Sequence, residues 1–251
     1  YFMMAQAVRN GAIGELKHIQ VSLPAKPTYA HEAPTPPPPG FDFNMWLGPA
    51  PERDHTPQLT DPQVWRQIRD FSGGSLTDWG AHLIDTAQVG NFSELTTPVE
   101  VSGHGVIPPD SVNTVPQTYE IDYTYANGVT MQVVSDQPSI RFEGTEGWVG
   151  NKGWRGKLEA SDMEIYRRKY DSDTDKIWPR PSTEHRNFID VAKCEAKPVY
   201  DAESLHQLST VMHMGAISME LDRPLKWDPK NESFNNREAN ALRKRQRRKW
   251  A

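Results

Sequence analysis

The stretch Gly73-Gly74-Ser75-Leu76-Thr77-Asp78-Trp79-Gly80-Ala81-His82-Leu83-Ile84-Asp85-Thr86-Ala87-Gln88 reads as one helix entered through a pair of glycines. At about 100° per residue, steps of four and seven residues return Asp78, His82 and Asp85 to within roughly 40° of one another. Leu76, Ala81, Ile84 and Val89 must pack close by, so this polar stripe borders the core or a cleft. Acid/base chemistry or metal binding belongs in such a place. The same spacing also suits a plain i,i+4 pair between Asp78 and His82, worth about 0.2 to 0.5 kcal/mol on an exposed helix. A zinc site would need a further ligand to which the sequence does not point.

Downstream, strands are expected over 100–106, 119–125 and 129–134. Tyr119, Ile121, Tyr123 and Tyr125 alternate with polar residues, and Asn127-Gly128 supplies a hairpin turn. Glycines at every third position from Gly144 to Gly156 enclose Trp148, Val149 and Trp154, which fits short strands joined by turns rather than a phosphate loop. Helices are expected over 184–195, with Phe188, Val191 and Ala192 at core spacing, and over 202–221, with Leu205, Leu208, Met212, Ala216 and Met219 likewise. His206 and His213 on the latter read as buried or interface side chains rather than ligands. Residues 236–245 read as a last surface helix, and the basic run from Arg243 to Lys249 reads as a solvated terminus.

Upstream, residues 1–10 read as the end of a helix closed by Gly11, and Ile19, Val21 and Leu23 as one face of a strand. Tyr1 stands where a translated chain has methionine, so the start reads as a cut end. Residues 24–62, with Pro34 and Pro36 to Pro39, read as an extended surface loop carrying Phe41, Phe43 and Trp46. Helices before and after antiparallel-looking strands give an α+β class, a large, mostly antiparallel open sheet with helices on one face. A face carrying Tyr119, Tyr123 and Tyr125 would then suit a subunit interface. The expected organisation is a single unit over 1–251, with the loop at 24–62 and a surface helix and tail at 236–251.

The 251 residues, 36% hydrophobic and 10% aromatic, suffice for a packed core. A net charge of -5 argues against nucleic acid as partner. The single Cys194 makes no intrachain disulfide, which permits cytoplasmic residence. No stretch approaches the roughly 20 apolar residues of a membrane span.

Taken in order, several motifs resemble the Gfo/Idh/MocA family of nicotinamide-dependent oxidoreductases, named for glucose-fructose oxidoreductase, inositol dehydrogenase and a rhizopine-catabolism protein. They are Gly11-Ala12-Ile13-Gly14-Glu15-Leu16, Trp46-Leu47-Gly48-Pro49-Ala50-Pro51, Ser72-Gly73-Gly74 through Asp78 and His82 to Asp85, Glu143-Gly144-Thr145-Glu146-Gly147-Trp148, His185 to Asp190, and Leu225-Lys226-Trp227-Asp228-Pro229. The resemblance spans nearly the whole chain and implies the substrate and oligomerisation domain that follows a Rossmann domain. No Gly-x-Gly-x-x-Gly is present, since Gly103-His104-Gly105 runs into Pro108-Pro109. The family's Glu-Lys-Pro is absent too, and Lys26-Pro27 and Lys197-Pro198 read as ordinary loop pairs. The chain alone is therefore expected to hold no NAD or NADP.

The resemblance assigns catalysis to Asp78 and His82. The histidine would take a substrate hydroxyl proton while hydride leaves the same carbon for the nicotinamide. Trp65, Arg66 and Asp70 could line a sugar-sized pocket, or could be an ordinary core tryptophan and surface charges. Asp85 is the remaining substrate-binding candidate, or holds its helix against neighbouring backbone. The implied substrate is a sugar or polyol and the implied assembly a homo-oligomer formed through the sheet face. Competing expectations are NAD-dependent glycoside hydrolysis, a non-catalytic assembly subunit, and a metal-dependent hydrolase using Asp78, His82 and Asp85.

Overall fold

Alternation of apolar and polar residues sets up each long strand of the computed structural model, which describes residues 1–170, 176 and 182–250. In β1 (Leu16–Leu23), Ile19, Val21 and Leu23 are fully buried. β2 (Glu100–Val106) and β3 (Thr118–Thr124) form an antiparallel pair, and β4 (Thr130–Ser135) follows the Asn127-Gly128 turn. Gly128 has φ +83° there, and the Asn127 side chain accepts from Val129 N at 3.1 Å. β5 (Ser139–Gly144), β6 (Trp148–Asn151) and β7 (Leu158–Ala160) continue as a meander, and β8 (Leu225–Asp228) and β9 (Ser233–Phe234) close the other edge.

The strands lie in the order β7-β6-β5-β1-β4-β3-β2-β8-β9. Among the described residues, seven of the eight neighbouring pairs are antiparallel, as expected, but β1 runs parallel to β4 while antiparallel to β5, so the sheet is mixed rather than purely antiparallel. The cause is topological. A strand that enters mid-sheet and reaches its neighbour only through a long connection is free to lie parallel to it.

Helices cover one face. α1 (Phe2–Arg9), α5 (Gly80–Gly90) and the 20-residue α8 (Ala202–Leu221) pack against it. Gly90 lets α5 settle on Phe142 of β5, and Ser218 of α8 accepts from Gly103 N of β2. Tyr119, Tyr123 and Tyr125 point into this covered face and are buried, with Tyr123 donating to Val211 O. The tyrosine face is thus core rather than interface. The opposite face is polar, and Gln132 there bridges Glu120 and Asp122 at 2.9 and 3.0 Å.

Three expectations change in detail. The 24–62 loop contains a short helix, α2 (Phe43–Leu47), capped by Asp42. After the short α6 (Met163–Arg167), α7 (Glu184–Ala192) is helical but buries no residue, and Phe188 is 74% exposed, because no described residue covers its apolar stripe. The last helix, α9, spans only Arg237–Ala241, capped by Asn236, and gives way where consecutive like charges begin. Among the described residues no helix is long and apolar enough to cross a membrane.

Candidate active site

Residues 73–88, expected as one helix, form two, α4 (Gly74–Asp78) and α5, which meet at Trp79. His82 N bonds Trp79 O at 3.0 Å, an i to i-3 bond that winds this junction more tightly than an α-helix. Tighter winding moves Asp78 off the stripe it would share with His82, and no ion pair joins the two. Entry to α4 needs glycine: Gly74 has φ +66°, and a Cβ there would lie 2.6 Å from Val115 Cγ2.

Two backbone anchors then bring cations to Asp78. Gly74 N bonds Arg66 O at 3.0 Å, where Arg66 ends α3 (Pro62–Trp65), and Ser75 Oγ donates to Pro24 O at 2.6 Å. Asp78 Oδ2 consequently faces Lys26 Nζ at 3.7 Å and Arg66 Nη1 at 3.8 Å. Both distances exceed hydrogen-bond length, so the carboxylate oxygens keep lone pairs for hydroxyl donors. Lys26, read from sequence as an ordinary loop lysine, is a member of this cluster.

His82 is exposed on α5 and neither ring nitrogen has a hydrogen-bond partner among the described residues. Its ring lies 6.3 Å from Trp79 and 5.3 Å from Trp154, which in turn lies 5.6 Å from Tyr1. Lys26 Nζ sits 5.5 Å from the Trp79 ring, so Trp79 links the Asp78 cluster to His82. Trp154 comes from the glycine-rich segment, where an aromatic residue between turns was the one available signal.

Of the other expected residues, Trp65 packs under the Arg66 guanidinium at 5.7 Å, while Asp70 turns away to Arg53 at 2.9 Å. Asp85 is held by a side chain, not by backbone: Tyr200 donates to its Oδ2 at 3.0 Å. Burial pushes the Asp85 carboxyl up to about 6, against the Tyr200 hydrogen bond, with the Glu94 charge adding to the rise. The described residues contain no cluster of three or more His, Cys, Asp or Glu side chains fit to hold a metal. Gly103-His104-Gly105 lies inside β2, paired with β3, and offers no turn to cradle a pyrophosphate.

The sequence matches the family described as "Oxidoreductase family, C-terminal alpha/beta domain" over residues 28–251. No curated protein matches. Among solved structures, an NAD-binding protein from Listeria innocua is similar at 18% identity and TM-score 0.54, covering 90% of this chain and 59% of that one. The WlbA dehydrogenase from Bordetella pertussis, in complex with NADH and UDP-GlcNAcA, is similar at 12% identity and TM-score 0.58, with 90% and 60% covered. An aldose-aldose oxidoreductase from Caulobacter crescentus, complexed with glycerol, is similar at 14% identity and TM-score 0.53, with 90% and 60% covered. At these identities the likeness establishes fold, and this chain spans about three-fifths of the length of those structures. Motif order, sheet topology and the extent of the family match together place the chain in the Gfo/Idh/MocA oxidoreductase family, as its C-terminal alpha/beta domain.

Proposed function

We propose that this chain is the substrate domain of an NAD- or NADP-linked oxidoreductase acting on a sugar or polyol. The observation that carries the reading is the joining of Asp78 and His82 through Trp79 in one side-chain cluster with Lys26, Arg66 and Trp154. A free carboxylate edge accepts from substrate hydroxyls, two cations donate to their oxygens, and the indole faces pack on the apolar face of a sugar ring. His82, with both nitrogens unengaged, takes the proton of the hydroxyl being oxidised and returns it in reverse.

No step of hydride transfer is assigned to the residues of this chain. A nicotinamide held outside this chain supplies the hydride acceptor. In this reading the exposed apolar stripe of α7 faces that cofactor domain, and the polar sheet face forms the homo-oligomer contact. The NADH and glycerol complexes of the similar structures support the reading.

The test is His82→Ala in the full-length protein, assayed for NAD- and NADP-linked oxidation of a panel of aldoses, uronates and cyclitols. Turnover should fall by about 10² or more. Undiminished turnover would remove His82 from the chemistry.

A further inference from the structure

Behind α4, on the side away from Asp78, lies a separate cavity of about 500 Å³. Leu76, Val115, Met214 and Ile217 form much of its apolar lining, and the C-terminal segment with Arg243 and Arg245 forms part of its wall. This volume suits a small organic ligand. His206 and His213, expected as buried or interface groups, are both exposed and line this space from α8.

Two features mark it as built for an occupant. First, Tyr119 is 94% buried by residue surface and lines the cavity, yet its hydroxyl has no hydrogen-bond partner. Tyr123 and Tyr125, farther along the same face, both donate, to Val211 O and Gln88 Oε1. Ser75 moderates the burial-driven rise of the Tyr119 phenol and donates to Pro24 O, but its oxygen makes no hydrogen bond of good geometry with the Tyr119 hydroxyl. An orphaned buried hydroxyl costs about 1 to 3 kcal/mol unless something accepts from it.

Second, the charge is unbalanced. The lining contains three guanidiniums, Arg69, Arg243 and Arg245, and two carboxylates. Glu220 pairs with Arg69, and Glu232 pairs with His206 at 2.7 Å. Among the described residues neither Arg243 nor Arg245 has an ion pair: Arg243 faces the Trp227 ring at 5.6 Å, and the Asp70 charge that favours Arg245 is already paired with Arg53. Partial desolvation against the cavity wall lowers the proton affinity of Arg69 and of the otherwise exposed His213, and in each case the Arg245 charge lowers it further. An anion placed among these groups relieves that repulsion.

We propose that this cavity is a second ligand site, for a small carboxylate with an apolar body and a hydrogen-bond acceptor that meets the Tyr119 hydroxyl. The guanidiniums of Arg243 and Arg245 take the carboxylate, and the apolar lining takes the body.

The probes are 3-(4-hydroxyphenyl)propionate, 3-phenylpropionate, which lacks the phenolic acceptor, and 3-(4-hydroxyphenyl)propanol, which lacks the charge. Each is titrated calorimetrically into the full-length protein. The propanol should bind at least tenfold more weakly than the hydroxyphenyl acid, and the joint variant Arg243→Gln/Arg245→Gln should erase that difference. Tyr119→Phe should erase the preference for the hydroxyphenyl over the phenyl acid while leaving the charge preference in place. Equal binding of acid and propanol, indifference to the arginine variant, or no binding at millimolar probe would each overturn the proposal. His82→Ala should leave all three affinities unchanged, which separates this site from the one at Asp78.

Discussion

Tyr200 donates its hydroxyl to Asp85 Oδ2 at 3.0 Å, tying the segment before α8 to α5. Asp85 is the carboxyl that burial raises from 3.8 to about 6, so between those values the folded chain holds a proton that the unfolded chain has released. Stability therefore falls as pH rises from about 4 to about 6 and is level above, for a total cost on the order of 2 to 3 kcal/mol. Asp85→Asn keeps an acceptor for Tyr200 and removes the charge. It should raise stability at pH 7.5 by about 1 to 2 kcal/mol and leave pH 4 unchanged. Urea midpoints across pH check this, and parallel curves for the two proteins would contradict it.

Lys26 and Arg66 flank Asp78 beyond hydrogen-bond length, and their pairs with it are partly exposed. Lys26→Met should therefore change folding stability by less than about 1 kcal/mol. Under the proposed function, the same variant of the full-length protein should raise KM about tenfold with a smaller change in kcat, because in that reading the cation orients substrate and moves no proton. A fall in kcat at constant KM would speak against that role.

Gly74 and Gly128 both have positive φ, +66° and +83°, but only Gly74 has a neighbour in the way. Gly128→Ala meets open space and should cost about 1 kcal/mol. Gly74→Ala adds the overlap with Val115 and should cost about 2 to 4 kcal/mol in all. Equal costs, measured by chemical denaturation, would mean that the 67–76 segment relaxes freely.

Arg248 crosses back to the loop around α2. It donates to Gly48 O at 2.9 Å and to Asn44 O at 3.0 Å, and its side chain is only 16% exposed. Arg248→Ala should free the basic tail, and trypsin should then cut at residues 243–247 severalfold faster while the global unfolding midpoint stays put.

Elements that carry their own signal were legible. β2 and α8 were read to their exact bounds: Arg223-Pro224 marks the end of the helix in sequence, and the structure caps it with Asp201 and a left-handed Asp222. What covers a stripe is not written in its period. α7 has the spacing of a core helix and no cover among the described residues, and the tyrosines of β3 alternate equally well whichever face the helices take. Within the site, Arg66 and Asp78 were both found, and the chain does bring them together. Lys26 was dismissed because its approach depends on the Ser75 to Pro24 hydrogen bond, which neither residue announces. Trp79 was passed over because the break it caps looks, in sequence, like helix on either side.

The place of β1 in the sheet has a consequence for how the chain assembles. Ile19 pairs with Met131 on one edge and with Phe142 on the other, so β1 finds both neighbours only after more than a hundred further residues have been made. Such distant pairing raises contact order and slows folding, because loop closure is costly before the contacts that repay it can form. Until residues 130–144 emerge, β1 has two open edges and an apolar face, the state in which strands are most prone to pair with the wrong chain. Placing the ends of the chain elsewhere, so that β1 follows β5 in order of synthesis, should shorten that interval without altering the finished sheet.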